Sequence, residues 1–249
     1  MPIEKGDIVK LTYTAVTESG VVFDTTDDEA AKANGIFDQN ARYGPISIVV
    51  GQGFVVPGLD ADLLGREVGE KRTLLLAPEE AFGPRKREMV ETMAMKRFKE
   101  KPRPGERVQV ENRVGTVESV VGGRARVDFN PPLAGLAVTY NYVIEEAITD
   151  PKAKVGALVE VYYGAPIEWS FSDGLVSMDV SYRLTFDQRW MLVKKRLADA
   201  LLGVRGVKEV RFVEVHQPPK PAETPTNDGA TDEQQKAAKD AKPAGQPEK

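Results

Sequence analysis

The sequence predicts an α+β chain: a small antiparallel sheet wrapped on a short helix, carrying an inserted β-rich module and followed by a C-terminal α+β module. Three observations lead there. Over most of the first 150 residues, short stretches alternate apolar and polar side chains between Gly- and Pro-rich turns, with little room for helix. A basic island, +5 over residues 84–128, lies between acidic stretches of −7 over 1–83 and −3 over 129–150, and marks an insertion. At 249 residues the chain is also too long for one small domain.

From Asp7 to Val16 the pattern alternates, with Val9, Leu11, Tyr13 and Ala15 on one face and Lys10, Thr12 and Thr14 on the other. Ser19-Gly20 turns the chain into a second strand, Val21 to Asp24. Asp27 or Asp28 caps a short helix that Gly35 stops, so the long connection to Pro45 has structure of its own. Ile46, Ile48 and Val50 alternate again. GQGFVVPGL then breaks the strand and leads into a short helix, Leu59 to Leu64, and Lys71 to Ala77 is the next strand. The G-x-G in that loop is no dinucleotide motif, because Pro57-Gly58 ends the element before a full helix can follow the glycines. Its valines and glycines instead offer a backbone N–H and an apolar wall to something bound beside the short helix.

Composition excludes several chemistries. With no cysteine there is no disulfide, thiolate metal site or cysteine nucleophile, and His216 is the single histidine. No cofactor or metal is expected. The N-terminus has no apolar signal core and no stretch approaches the ~18 apolar residues of a membrane span, so the expectation is a soluble cytoplasmic protein with no membrane partner.

GVVFDTT, then ISIVVGQGFVVPGLDADLLGREVGEKRTLLLAPEEAFGP, and after a gap DFNPPLAGLAVTYNYVIEEAI, closely resemble the successive blocks of an FKBP-type peptidyl-prolyl cis/trans isomerase. The insertion falls where these enzymes have a short flap, which resembles the SlyD-like subfamily with its insert-in-flap domain. The extra module after residue 150 resembles the long archaeal form. The resemblance implies an isomerase domain from residues 1–83 and 129–150, an insert-in-flap chaperone domain over 84–128, and a C-terminal α+β domain over 151–217.

It also implies a site. Tyr13, Phe23, Ile46, Val55, Val56, Leu59, Phe82 and Tyr140 would line an apolar pocket, with Phe23 and Tyr140 as walls and Leu59 as floor. The backbone N–H of Val56 would anchor the residue before proline, and Asp24 would sit at the rim near the rotating carbonyl. Read without the resemblance, the aromatics are ordinary core and Asp24 a strand-end turn residue. Two departures from the family's usual pattern stand out: Leu59 where the family usually has Trp, an aliphatic floor being the SlyD-like pattern, and Phe82 where most have a Tyr hydroxyl. The implied activity is isomerisation of X-Pro bonds in unfolded or nascent polypeptides; the alternative is a holdase that uses the same domain only as a scaffold.

In the insert, REMVETMAMKRF places Met89, Val90, Met93 and Phe98 near one stripe of a helix, before GERVQV, GTVESVV and RARVDF give three short strands. These four residues are the expected client-binding set, since methionine-rich surfaces accept many sequences; the plainer reading makes the methionines a minidomain core. No RNP-like aromatic pattern accompanies the positive charge, so nucleic acid is not expected as a partner.

In residues 151–217, Ile167, Trp169 and Phe171 alternate up to an Asp173-Gly174 turn, and Met178, Val180, Tyr182, Leu184 and Phe186 alternate beyond it. Asp187 caps the helix QRWMLVKKRLADALL, and Val207 to Val215 is a final strand. The module is small enough that pairing with a second copy would help bury its faces. His216 reads as a solvated strand-end residue. The tail, 218–249, holds 6 of the 17 prolines and no large apolar residue, and is expected to be disordered.

Overall fold

The computed structural model describes residues 1–214; the expectations for His216 and for the tail lie outside the described residues. β1 (Ile8–Thr17) is the axis of the first sheet. Its second half pairs antiparallel with β2 (Val22–Thr25), Ala15 opposite Asp24. α1 (Asp28–Ala33) follows, its first N–H groups capped by the Asp27 carboxylate. β3 (Ile46–Val49) then pairs with the first half of β1. α2 (Pro57–Asp62) starts two residues before the expected Leu59, because Pro57 needs no N–H partner in a first turn. β4 (Lys71–Leu76) completes this run.

The inserted segment differs from its sequence reading at its start. Val90–Ala94 is a strand, β5, framed by one-turn 3₁₀ segments at Arg87–Met89 and Met95–Arg97. It is followed by β6 (Arg107–Val110), β7 (Arg113–Val121) and β8 (Arg124–Asp128). The helix expected over REMVETMAMKRF is not formed, because β5 pairs antiparallel with β8, Val90 opposite Asp128 and Ala94 opposite Arg124, in a sheet of order β5-β8-β7-β6. That pairing gives the backbone its hydrogen bonds at long range, which local spacing cannot report. Met89, Val90, Met93 and Phe98 therefore share no helical stripe. The two chain crossings are latched together: Arg85 Nε donates to Asp128 at 2.7 Å, and the Lys86 N–H donates to Asn130 Oδ1 at 2.8 Å.

The chain returns as β9 (Val138–Ile148), which pairs antiparallel with both β1 and β4 and gives the order β2-β1-β9-β4, with β3 also on β1. Val9, Leu11 and Ala15 are fully buried with Leu59 and Leu63 of the α2 segment, as the alternation predicts. Ile8 is buried on the other face: it lies opposite Val49 on β3 and opposite Ile148 on β9, and all three join the core of the C-terminal residues.

That core begins with a helix the sequence reading did not recognise, α3 (Pro151–Tyr162), capped by the Asp150 carboxylate on the Ala153 N–H at 2.7 Å. β10 (Trp169–Ser172) and β11 (Leu175–Val180) form the expected hairpin, Asp173 and Gly174 both at positive φ. The alternation does not continue to Phe186. The described pairing ends at Val180, opposite Glu214, and Tyr182–Thr185 forms a one-turn helix, α4. α5 (Gln188–Leu202) is capped by Asp187 and returns the chain to β12 (Glu209–Glu214), parallel to β11.

Candidate active site

Edge-to-face packing organises one end of the first sheet. The Phe23 ring meets the Phe82 ring at 5.7 Å and 80°, and the Tyr140 ring at 6.3 Å and 85°. Tyr140 meets Tyr13 at 5.5 Å. β2 supplies Phe23, β9 supplies Tyr140 and β1 supplies Tyr13, so the register of three strands sets this geometry. Leu59 on α2 is fully buried beneath, while Ile46, Val55, Val56 and Phe82 are partly buried against the same cluster. The sheet thus brings together all eight apolar residues expected of the pocket. Asp24 is exposed at the edge and accepts a hydrogen bond from the Tyr13 hydroxyl at 2.8 Å.

The loop between β3 and α2 is held from one side chain. Asp60, buried on α2, accepts from the Gly51 N–H at 2.7 Å and the Gly53 N–H at 2.9 Å. Both glycines have positive φ, 77° and 73°, so the chain reverses there without strain. Val56 stands just before the helix with extended ψ, and its C=O accepts from the Asp60 N–H. The Val56 N–H donates to no protein acceptor among the described residues, which leaves it available at the edge of the cluster. Gly58 is needed for closeness: a Cβ there would stand 2.4 Å from Leu76 Cδ2 and 3.0 Å from Glu80 Cβ.

Burial dominates the electrostatics. It pushes the Tyr140 phenol up to about 12, with the Asp24 charge adding to the effect, and raises Tyr13 further through burial and then Asp24. Both stay neutral throughout the physiological range. On the same helix Asp62 is hydrogen-bonded by Tyr142, by Arg66 Nη2 at 2.7 Å and by Arg72 Nη2 at 3.1 Å. Burial opposes its charge, but those donors outweigh burial and hold the carboxyl below its usual range. The sequence reading missed both Asp60 and Asp62; the available signal was two carboxylates in LDAD directly after a double-glycine loop.

In the insert, Met93 is 3% exposed and sits in a core with Val110, Val117, Ala125 and Val127; Met89 and Phe98 pack half-buried against it, and Val90 is half-buried on β5. Among the described residues no group of three or more His, Asp or Glu is placed to hold a metal, and no helix is long and apolar enough to cross a membrane.

Comparison with known proteins bears on this geometry. Residues 1–99 match the family described as FKBP-type peptidyl-prolyl cis-trans isomerase. A SlyD of that type from Haemophilus influenzae is 30% identical over 141 residues, 54% of this chain and 67% of the relative. The chain belongs to the FKBP-type peptidyl-prolyl cis-trans isomerases. Another relative, the short-type peptidyl-prolyl cis-trans isomerase of Methanocaldococcus jannaschii, is 29% identical over 147 residues, 58% of this chain and 93% of the relative. Residues 89–133 match a family described as FKBP26, IF domain, and residues 151–217 one described as FKBP26 C-terminal.

Proposed function

We propose that this isomerase twists X-Pro amides in the cluster formed by Phe23, Phe82 and Tyr140 over Leu59, and that its insert holds unfolded clients beside that pocket. The observation that carries the first half is the convergence of those rings around a buried floor, with the Val56 N–H unengaged at the edge. Rotation about an X-Pro bond faces a barrier of ~18–20 kcal/mol from amide resonance, and no bond need break to lower it. An apolar enclosure withdraws the water that favours the planar, charge-separated form. The rings would grip the proline, the Val56 N–H would anchor the preceding residue, and Asp24 at the rim would face the rotating carbonyl.

The insert reading rests on its half-buried Met89, Val90 and Phe98 and on its charge of +5, which would attract acidic stretches of a client. Met93, in the core, would support that surface from beneath. Domain boundaries at residues 84–128 fit the latch between the two crossings. Residues 151–217 expose Phe186, Met191 and Leu192 at 72%, 69% and 74%, a face that a second copy would cover. The enzyme would work in the cytoplasm, on chains still short of their native fold.

A proline-limited refolding assay tests the whole reading. The enzyme should accelerate a phase that takes tens of seconds unaided. Suppressed aggregation with no acceleration would instead identify a holdase.

A further inference from the structure

Helix α3 touches chain that neighbours the proposed pocket residues. Tyr162, in its last turn, meets the Phe54 ring edge-on at 5.3 Å and 84°. Glu160 pairs with Arg42 at 2.8 Å and accepts from the Ser47 hydroxyl at 3.5 Å. Phe54 directly precedes Val55 and Val56; Arg42 and Ser47 flank Ile46. Two side chains of one helix therefore touch both stretches of chain that carry apolar pocket residues on this side.

The loop needs such a contact. Asp60 fastens it at Gly51 and Gly53, and α2 begins at Pro57. Between these fixed points, the N–H groups of Phe54, Val55 and Val56 donate to no protein acceptor among the described residues. Apart from the Val56 C=O, which accepts from the Asp60 N–H, this stretch is held by side-chain packing: Val55 and Val56 against the cluster of the first sheet, and Phe54 against the Tyr162 ring. From this juxtaposition we infer that Tyr162 is a positioning residue: it braces Phe54 so that the Val56 N–H stays aimed at the substrate, and thereby links residues 151–217 to substrate affinity. The inference rests on the proposed role of Val56. A loosened anchor weakens ground and transition states alike, so it should raise KM and leave kcat nearly unchanged.

The test compares four full-length variants on a proline tetrapeptide: Tyr162→Ala, Tyr162→Phe, Val159→Ala and Phe23→Ala. Val159 is buried in α3 and belongs to the core of the C-terminal residues, not to the pocket cluster, so its truncation loosens the same helix while the Tyr162 ring stays. Tyr162→Ala should raise KM threefold or more with kcat held within twofold. Tyr162→Phe, which keeps the ring, should behave as the parent, and Val159→Ala should lower the melting temperature with KM unchanged. An unchanged KM in Tyr162→Ala overturns the brace, whatever Phe23→Ala does. An equal rise in Val159→Ala assigns the effect to general loosening and overturns it too, and an equal rise in Tyr162→Phe, which keeps the ring, likewise overturns the ring brace. Phe23→Ala separates the two readings: if it turns over normally, the pocket assignment fails and the brace falls with it, whereas its loss of turnover beside an indifferent Tyr162→Ala removes the brace alone.

Discussion

The Tyr13 hydroxyl donates to the Asp24 carboxylate at 2.8 Å, from the middle of β1 to the exposed edge of β2. One consequence is orientation, since Asp24 has a partner that fixes it at the rim of the aromatic cluster. Another is that the phenol stays protonated: ionising it would place a second negative charge beside the first in a buried setting. The rim thus keeps one charge, and the cluster behind it keeps none.

If that uncharged cluster is where amides rotate, its walls should matter to rate more than to folding. Phe23→Ala or Tyr140→Ala should cut tetrapeptide turnover tenfold or more while circular dichroism retains the folded spectrum; tenfold corresponds to ~1.4 kcal/mol of barrier. Normal turnover in both would move the site elsewhere.

Asp60 fastens a loop rather than touching substrate. Removing its carboxylate in Asp60→Ala takes the acceptor from two glycine N–H groups, and should cost about 2 kcal/mol or more in urea unfolding, since hydrogen bonds to a charged group contribute ~1.5–3 kcal/mol each. Asp60→Asn, which keeps one acceptor oxygen, should lose less. Equal stability of all three proteins would show that water replaces the carboxylate at no cost.

Asp62 gives the fold an acid-sensitive element. Its native carboxyl titrates below the unfolded value of ~3.9, so its contribution is present above that pH and is lost as pH falls through the lower native value. Melting temperatures followed from pH 6 down to pH 2 should therefore converge for the parent and Asp62→Asn on the acid side, with the parent higher near neutrality. Parallel curves at every pH would place the acid sensitivity elsewhere.

For the insert, replacing residues 84–128 by a short glycine-containing flap should spare tetrapeptide turnover and impair refolding of a whole protein. A weak hold beside the pocket makes the second encounter intramolecular, worth as much as ~10²–10⁴ in avidity. Phe98→Ser tests the surface itself, because Phe98 is half-buried and borders a cleft of about 430 Å³ with Val108 and Gln109. Met93→Ser would only open the insert's core. Equal losses on peptide and protein substrates would reduce the insert to a structural role.

Several elements were legible because their signals are local. Alternation in β1, the Asp27 and Asp187 caps and the Asp173-Gly174 turn each reside within a few consecutive residues. The residues expected of a pocket came from spacing that resembles a family, and all eight apolar ones gather in one cluster. By contrast α3 carries an apolar run, with Val155, Ala157, Leu158 and Val159 all buried, and so lacks the one-sided stripe that announces a surface helix. Its Asp150-Pro151 start was the signal to use.

What the amino-acid order determined by itself was therefore the identity of most elements and the gathering of one apolar, aromatic cluster. Tertiary structure alone decided that Val90–Ala94 is a strand, since its hydrogen bonds come from β8, 30 to 38 residues further along the chain, and that Ile8, Val49 and Ile148 form a second buried face. It decided, too, that Tyr162 stands against Phe54. Periodicity tells which face of an element is apolar, but the partner that covers that face is chosen by closure of long loops, whose cost and reward depend on the whole chain.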